Sequence, residues 1–254
     1  MQTSRLAIHL MKNDVRLIRR DRTLISMVVF ALLIAIILRI LLPGMNSYLA
    51  DRGVLPNNSI AMSLSDVFPM LVTFFALFNG AQMSGAIFGF LLLDEKDQQT
   101  ISALQVSPVS LPQFLVCRVL LPTALGFLFC TVMLVIINQV LVPFWQLLPI
   151  TAVASLMSPI MALFVATFAE NKVQGFAIAK FAGIAGWTIL FGWFVAEPVQ
   201  WLFGLFPPFL VSKAYWMALE GRQTWWLVLF LGFVLQLFMI AWMAQRFQRQ
   251  ISTR

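Results

Sequence analysis

Six runs of apolar residues set the limits on what this chain can be. They cover about residues 24–42, 67–92, 114–141, 147–168, 174–196 and 225–244. A helix rising about 1.5 Å per residue needs about 20 residues to cross about 30 Å of hydrocarbon. Every run reaches that length. The spans must be helical, because lipid offers an exposed backbone no hydrogen-bond partner, and the runs lack the two-residue alternation of a β-barrel. The fold class that follows is an all-α polytopic membrane protein with six transmembrane helices. Composition agrees: 61% of the 254 residues are hydrophobic and 11% charged, against about 45–50% and 25% in a soluble domain. So large an excess cannot be a core, since a core needs polar cover, and a disordered chain or a disulfide scaffold is excluded with it. Cys117 and Cys130 lie in or beside apolar runs and say nothing of redox compartment.

The net charge of +7 matters through its placement. An even number of spans puts both termini on one side. That side receives Arg5, Lys12, Arg16, Arg19, Arg20 and Arg22, then Lys96, Arg118 and Lys172 from the hairpins, and finally Arg246, Arg249 and Arg254. The opposite side holds Arg52, Lys213 and Arg222. Because Lys and Arg are retained in the cytoplasm, this bias predicts cytoplasmic termini and a multi-pass protein of the inner membrane, with no role for nucleic acid. Residues 1–23 form a first unit, predicted as an amphipathic interfacial helix lying on membrane lipid. Leu6, Leu10, Val15, Leu17 and Ile18 share one face, and Lys12, Arg16 and Arg19 turn to headgroups. The six-span domain is 24–254. Nothing at the start resembles a cleaved signal peptide.

Two soluble pieces stand out. In the hairpin 93–113, the cluster Asp94-Glu95-Lys96-Asp97 ends the second span, and residues 97–106 can form a short helix with Ile101 and Leu104 on one side. Ser107-Pro108 stops it, because the residue before proline is pushed out of the α region. Ser110-Leu-Pro-Gln113 then reads as a capping box for the next helix. The loop therefore presents a short stiff element. The segment 197–224 is too apolar for a solvated loop and too broken by Gly204, Pro207 and Pro208 to span. A re-entrant or interface-lying helical hairpin fits it best.

These features resemble the permease subunits of ABC-2 type (type V) ABC exporters, over essentially the whole chain. The most specific part is Glu95-Lys96-Asp97-Gln98-Gln99-Thr100-Ile101-Ser102-Ala103-Leu104-Gln105-Val106-Ser107-Pro108-Val109-Ser110. It is similar to the family's Glu-Lys/Arg … Thr-x-x-x-Leu … (Ser/Thr)-Pro-(Val/Leu)-Ser stretch, with Gln99 in place of a usual glycine. Drug-exporter permeases of the fluoroquinolone and daunorubicin kind are nearest in flavour. The resemblance implies that Asp94, Glu95, Lys96, Thr100, Ile101, Leu104, Ser107 and Pro108 belong to a coupling helix that docks on an ATPase. It implies a second, smaller ATPase contact at Glu170, Asn171 and Lys172, and a substrate path bordered by spans two and five. It further implies two P-loop ATP-binding subunits and a second permease, identical or not. The chain has no Gly-x-x-x-x-Gly-Lys-(Ser/Thr), so it binds no cofactor of its own by that route, and ATP and Mg would sit on the partner.

Within the spans, Asn79 and Gln82 share a face of span two and are either interhelical glue or a substrate-facing strip. Lys180, about two turns inside span five, either snorkels to the interface or attracts an anionic group. Arg39 is expected to snorkel outward, and Pro122 and Pro159 to kink spans three and four. Catalysis finds no support. His9 is the one histidine, so neither a His-based triad nor a multi-histidine metal site can be built. The expected function is export of a hydrophobic or amphipathic substrate, driven by a separate ATPase. An ion- or proton-coupled secondary transporter, or an ABC permease for haem or polysaccharide, is the alternative. Phe- and Met-rich walls, from 24 Phe and 13 Met, would suit a lipid-like cargo, though they also serve packing.

Overall fold

The computed structural model describes residues 14–51, 64–97 and 111–252; they are helical nearly throughout, with no strand among them. Six helices are long and apolar enough to cross a membrane: Arg22–Gly44, Ser65–Lys96, Gln113–Ile137, Phe144–Phe168, Lys172–Phe194 and Trp225–Gln250. They are spans one to six. A short helix at 14–20 precedes span one. Leu17 and Ile18 pack against the core, whereas Val15 is exposed instead of sharing their face. Asp21 ends this helix and starts the next, its Oδ1 accepting from the backbone N–H of Thr23 at 2.8 Å, as an N-cap does.

Span two is the axis of the bundle. Buried residues make up 83% of its apolar window, against 22% for spans one and five. Its central position depends on glycine. A Cβ built at Gly85 would lie 2.5 Å from the Met161 side chain and from the Ser158 carbonyl, and one at Gly89 would lie 2.9 Å from Val165. The two glycines, four residues apart, let span four lie directly on the span-two backbone, as in close-packed membrane helices. In span five, Gly186 instead makes room for the Phe78 ring, which a Cβ there would strike.

Span two also changes pitch. Thr73–Asn79 winds as a π-helix, which leaves carbonyls without their usual partners in a place without water. Side chains fill the gap. Asn79 Nδ2 donates to the Phe74 carbonyl at 3.1 Å, and Cys130 Sγ to Leu77 at 3.3 Å. Span four breaks at Leu156, between helices Phe144–Ser155 and Met157–Phe168. Pro159, which cannot donate to Ser155, explains the break. Span three runs unbroken through Pro122.

Span three ends at Ile137, short of the expected 141. Asn138 at φ 49° and Val140 at φ 47° take left-handed backbone, which stops a helix whatever the hydropathy that follows. Tyr215 Oη secures this turn by donating to the Val140 carbonyl at 2.9 Å. Arg39 does not simply snorkel; its Nη1 donates to the Ile136 carbonyl at 2.9 Å and ties span one to the same turn.

Between spans five and six the chain forms two short helices, Val199–Leu205 and Pro207–Leu219, joined at Phe206. At about 1.5 Å per residue the second reaches about 20 Å and cannot cross. Its residues 207–218 are all buried, packed against span six, the first half of span four and the π segment of span two. Trp216 joins them, its Nε1 donating to Thr73 Oγ1 at 3.1 Å while its ring meets Trp193 edge-on at 4.7 Å.

Candidate functional site

The antiparallel spans bring the start of spans one, three and five and the end of spans two, four and six to one end of the bundle. Most of the basic residues gather there. Arg118, fully buried one and a half turns into span three, reaches two carboxylates from other elements. Its Nη1 lies 2.8 Å from Asp14 Oδ2 and its Nη2 pairs with Glu95 Oε1, while its guanidinium stacks 5.3 Å above Phe114. One cation thus joins the helix at 14–20, the end of span two and the start of span three. Burial pushes the Asp14 carboxyl above its ordinary value, against the opposing pull of Arg118. Asp14 Oδ1, Glu95 Oε2 and Arg118 Nε have no hydrogen-bond partner among the described residues.

A second bridge stands beside the first. Lys172 Nζ lies 3.1 Å from Asp21 and 3.0 Å from Asp94, joining the start of span five to the start of span one and the end of span two. Partial burial works against ionisation of Asp21, but the Lys172 ammonium and the Thr23 and Leu24 N–H groups prevail and hold its carboxyl below the usual range. Lys96 Nζ donates to the Ala166 and Ala169 carbonyls at 3.2 and 3.3 Å, closing the open end of span four. Asn171 caps span five by accepting from Gln174 N–H at 3.0 Å, and Gln174 Oε1 accepts in return from Glu170 N–H at 2.9 Å.

Asp94, Glu95 and Lys96 are therefore brought to the same end as Lys172 and Asn171, Asp94 paired with Lys172, Glu95 with Arg118, and Lys96 on the end of span four. They are the footing of the 98–110 segment rather than its outer surface. Thr100, Ile101, Leu104, Ser107 and Pro108 lie outside the described residues, as do Leu6, Leu10 and Lys12. Glu170 is exposed.

The residues expected near a substrate path do not converge. Asn79 is committed to the π segment of its own helix. Gln82 Nε2 donates across to the Ala179 carbonyl of span five at 3.0 Å, beside Gly183. Lys180 is exposed on span five, on a face with Ile184, Trp187 and Phe191.

Three ionic residues were not among the candidate site residues: Arg118 and Lys213, read only for the side on which they fall, and Asp14. Lys213 is buried at the far end, 2.6 Å from both Glu197 Oε1 and Gln200 Oε1 and 5.7 Å from the Trp201 ring. Its ammonium holds the Glu197 carboxyl below the ordinary range. A charge several residues inside an apolar run is the signal that marks Arg118.

Residues 14–244 match the family described as fluoroquinolones export permease protein Rv2686c-like. The chain belongs to that family. Two curated relatives, the fluoroquinolones export permease proteins Rv2686c and MT2760 of Mycobacterium tuberculosis strains H37Rv and CDC 1551, are each 31% identical over 252 residues. The match spans 93% of this chain and 92% of each relative. No solved structure matches the chain. Six apolar helices and this family together make it a multi-pass membrane protein. The family's span of 14–244 begins at Asp14, so both bridging clusters lie within it.

Proposed function

We propose that the chain is the permease subunit of an ATP-driven drug exporter, moving an amphipathic, fluoroquinolone-like molecule out of the cell. The observation that carries this is the match to export permeases along nearly the whole length of the chain. ATP and Mg belong to a separate P-loop subunit, present in two copies beside two permeases. The basic end faces the cytoplasm of the inner membrane, in keeping with the distribution of Lys and Arg. The segment 98–110 docks on the ATPase, with Glu170 at the rim of a second contact. Asp94, Glu95 and Lys96 anchor that segment, so force applied to it reaches spans two, three and five through Arg118 and Lys172.

Transport requires that substrate prefer the inward-facing state and lose contacts in the outward-facing one. The exposed face of span five, with Lys180 among aromatic side chains, suits an amphipathic anion or zwitterion at the interface between permeases. Asn79 and Gln82 serve as glue. The helix pair 199–219 closes the outer side of the bundle as a re-entrant element. Among the described residues no carboxylate lies in the middle of a span, which weighs against proton coupling.

The test is co-purification from mild detergent. The parent is expected to bring a P-loop ATPase, and Ile101→Asp with Leu104→Asp to lose it while eluting as a folded species. A parent that brings no ATPase, yet moves a fluoroquinolone in liposomes under a proton gradient, would sink the reading.

A further inference from the structure

At the basic end, spans four and six separate around a cleft of about 480 Å³. The walls are Thr167 and Phe168 from span four and Trp242, Gln245, Arg246, Arg249 and Gln250 from span six, with no acidic side chain among the lining residues. The Arg246 guanidinium stacks over both aromatic rings, 5.5 Å from Phe168 and 5.9 Å from Trp242. The rings hold the guanidinium beside the cleft, where its N–H groups can meet a ligand. Thr167, only 6% exposed, has an Oγ1 with no hydrogen-bond partner among the described residues. A helical threonine ordinarily donates to a carbonyl of the preceding turn, as Thr123 does to Val119, so a buried hydroxyl without a partner at a basic cleft points to a missing acceptor.

We propose that this cleft binds the phosphate of an anionic phospholipid. Guanidinium groups recognise phosphate in a planar, two-pronged way, and basic pockets between helices at the charged end of a bundle take such headgroups. The surroundings favour a lipid over a soluble anion. Leu231, Val234, Phe238 and Trp242, spaced by three or four residues, are all exposed on span six and run from mid-span up to the cleft. Phe164 and Phe168, 4.9 Å apart, continue the aromatic wall on span four. An acyl chain can follow this track while the phosphate meets Arg246, Arg249 and the Thr167 hydroxyl. The site owes nothing to the ATPase, so it stands or falls apart from the transport reading.

Native mass spectrometry of the detergent-purified chain tests it, with phosphatidylglycerol, phosphatidylcholine and inorganic phosphate titrated separately. The parent is expected to prefer phosphatidylglycerol, and Arg246→Gln with Arg249→Gln, both surface positions, to weaken that binding about twentyfold. Thr167→Val keeps the shape of the residue and removes only the hydroxyl. It is expected to weaken phosphatidylglycerol several-fold and leave phosphatidylcholine unchanged. Equal retention of the two lipids, or unchanged binding by the arginine variant, overturns the proposal. Inorganic phosphate displacing the lipid at matched concentration makes this a soluble-anion site instead. Loss of a co-purifying ATPase with lipid binding intact makes it a protein-docking surface, and also overturns it.

Discussion

Replacing Arg118 by leucine isolates the energetics of the basic end. The guanidinium is 0% exposed, Asp14 2% and Glu95 13%. Removing it strands two carboxylates in a site built for a cation. Breaking a buried pair from one side costs about 3–5 kcal/mol. Glu95 retains some access to water, which puts the expected loss near the lower limit, about 3 kcal/mol. For a chain of this size that lowers the melting temperature by about 6 °C. The triple variant Arg118→Leu, Asp14→Asn, Glu95→Gln leaves no stranded charge and should recover most of the loss. Thermal unfolding in detergent measures both. Limited trypsin digestion after Arg16, Arg19 and Arg20 gives a local readout, since release of the 14–20 helix exposes those bonds before the spans unfold. The reasoning fails if the single variant melts with the parent, or if the triple variant is no better than the single one.

Other outcomes can be worked out in the same way. Gly85→Ala places a Cβ where Met161 and the Ser158 carbonyl lie at 2.5 Å, and should cost about 1–3 kcal/mol by overpacking. Gly44→Ala, inside the first span's helix with nothing within 4 Å, should not lower the melting temperature, so equal losses would contradict the packing described. Gln82→Leu removes one interhelical hydrogen bond and should cost about 0.6 kcal/mol with no change in the KM for drug; a raised KM would return Gln82 to the substrate path. Glu197 has a folded pKa below its ordinary 4.5, so its bond to Lys213 stabilises the far end above that value and is lost as pH falls through the lowered one. Fluorescence of Trp201, which lies over the Lys213 ammonium, should report a transition below pH 4.5 that Glu197→Gln abolishes.

The spans were legible because crossing a bilayer demands a length and a polarity that every residue in the run must satisfy. The end of span three was misjudged because Val140, Leu141 and Val142 are as apolar as a helix interior, and hydropathy does not register the left-handed turn at Asn138. The break in span four was legible through Pro159. The π segment was not, since hydropathy does not register the wider turn whose carbonyls Asn79 and Cys130 satisfy. The ionic bridges were hidden for a different reason. Arg118 stands 104 positions from Asp14 and Lys172 stands 151 from Asp21, and a charge pattern gives the side of the membrane on which each falls but not its partner. Glu95 was expected in a coupling element, and its direction, inward to Arg118, follows only from the packing of three helices. Gly85 and Gly89 have the four-residue spacing of close helix contact, a signal present in the sequence that hydropathy alone passes over.

The two bridges make adjacent residues of span two the meeting point of four pieces of chain. Asp94 is held through Lys172 to the starts of spans one and five, and Glu95 through Arg118 to the 14–20 helix and span three. Span two therefore ends in a knot and not as a free end. Under the proposed coupling, a pull on that end would not be absorbed by bending near its root. It would turn the surrounding helices together, so the unit of motion at this end would be a ring of helix ends that tilts as one plate.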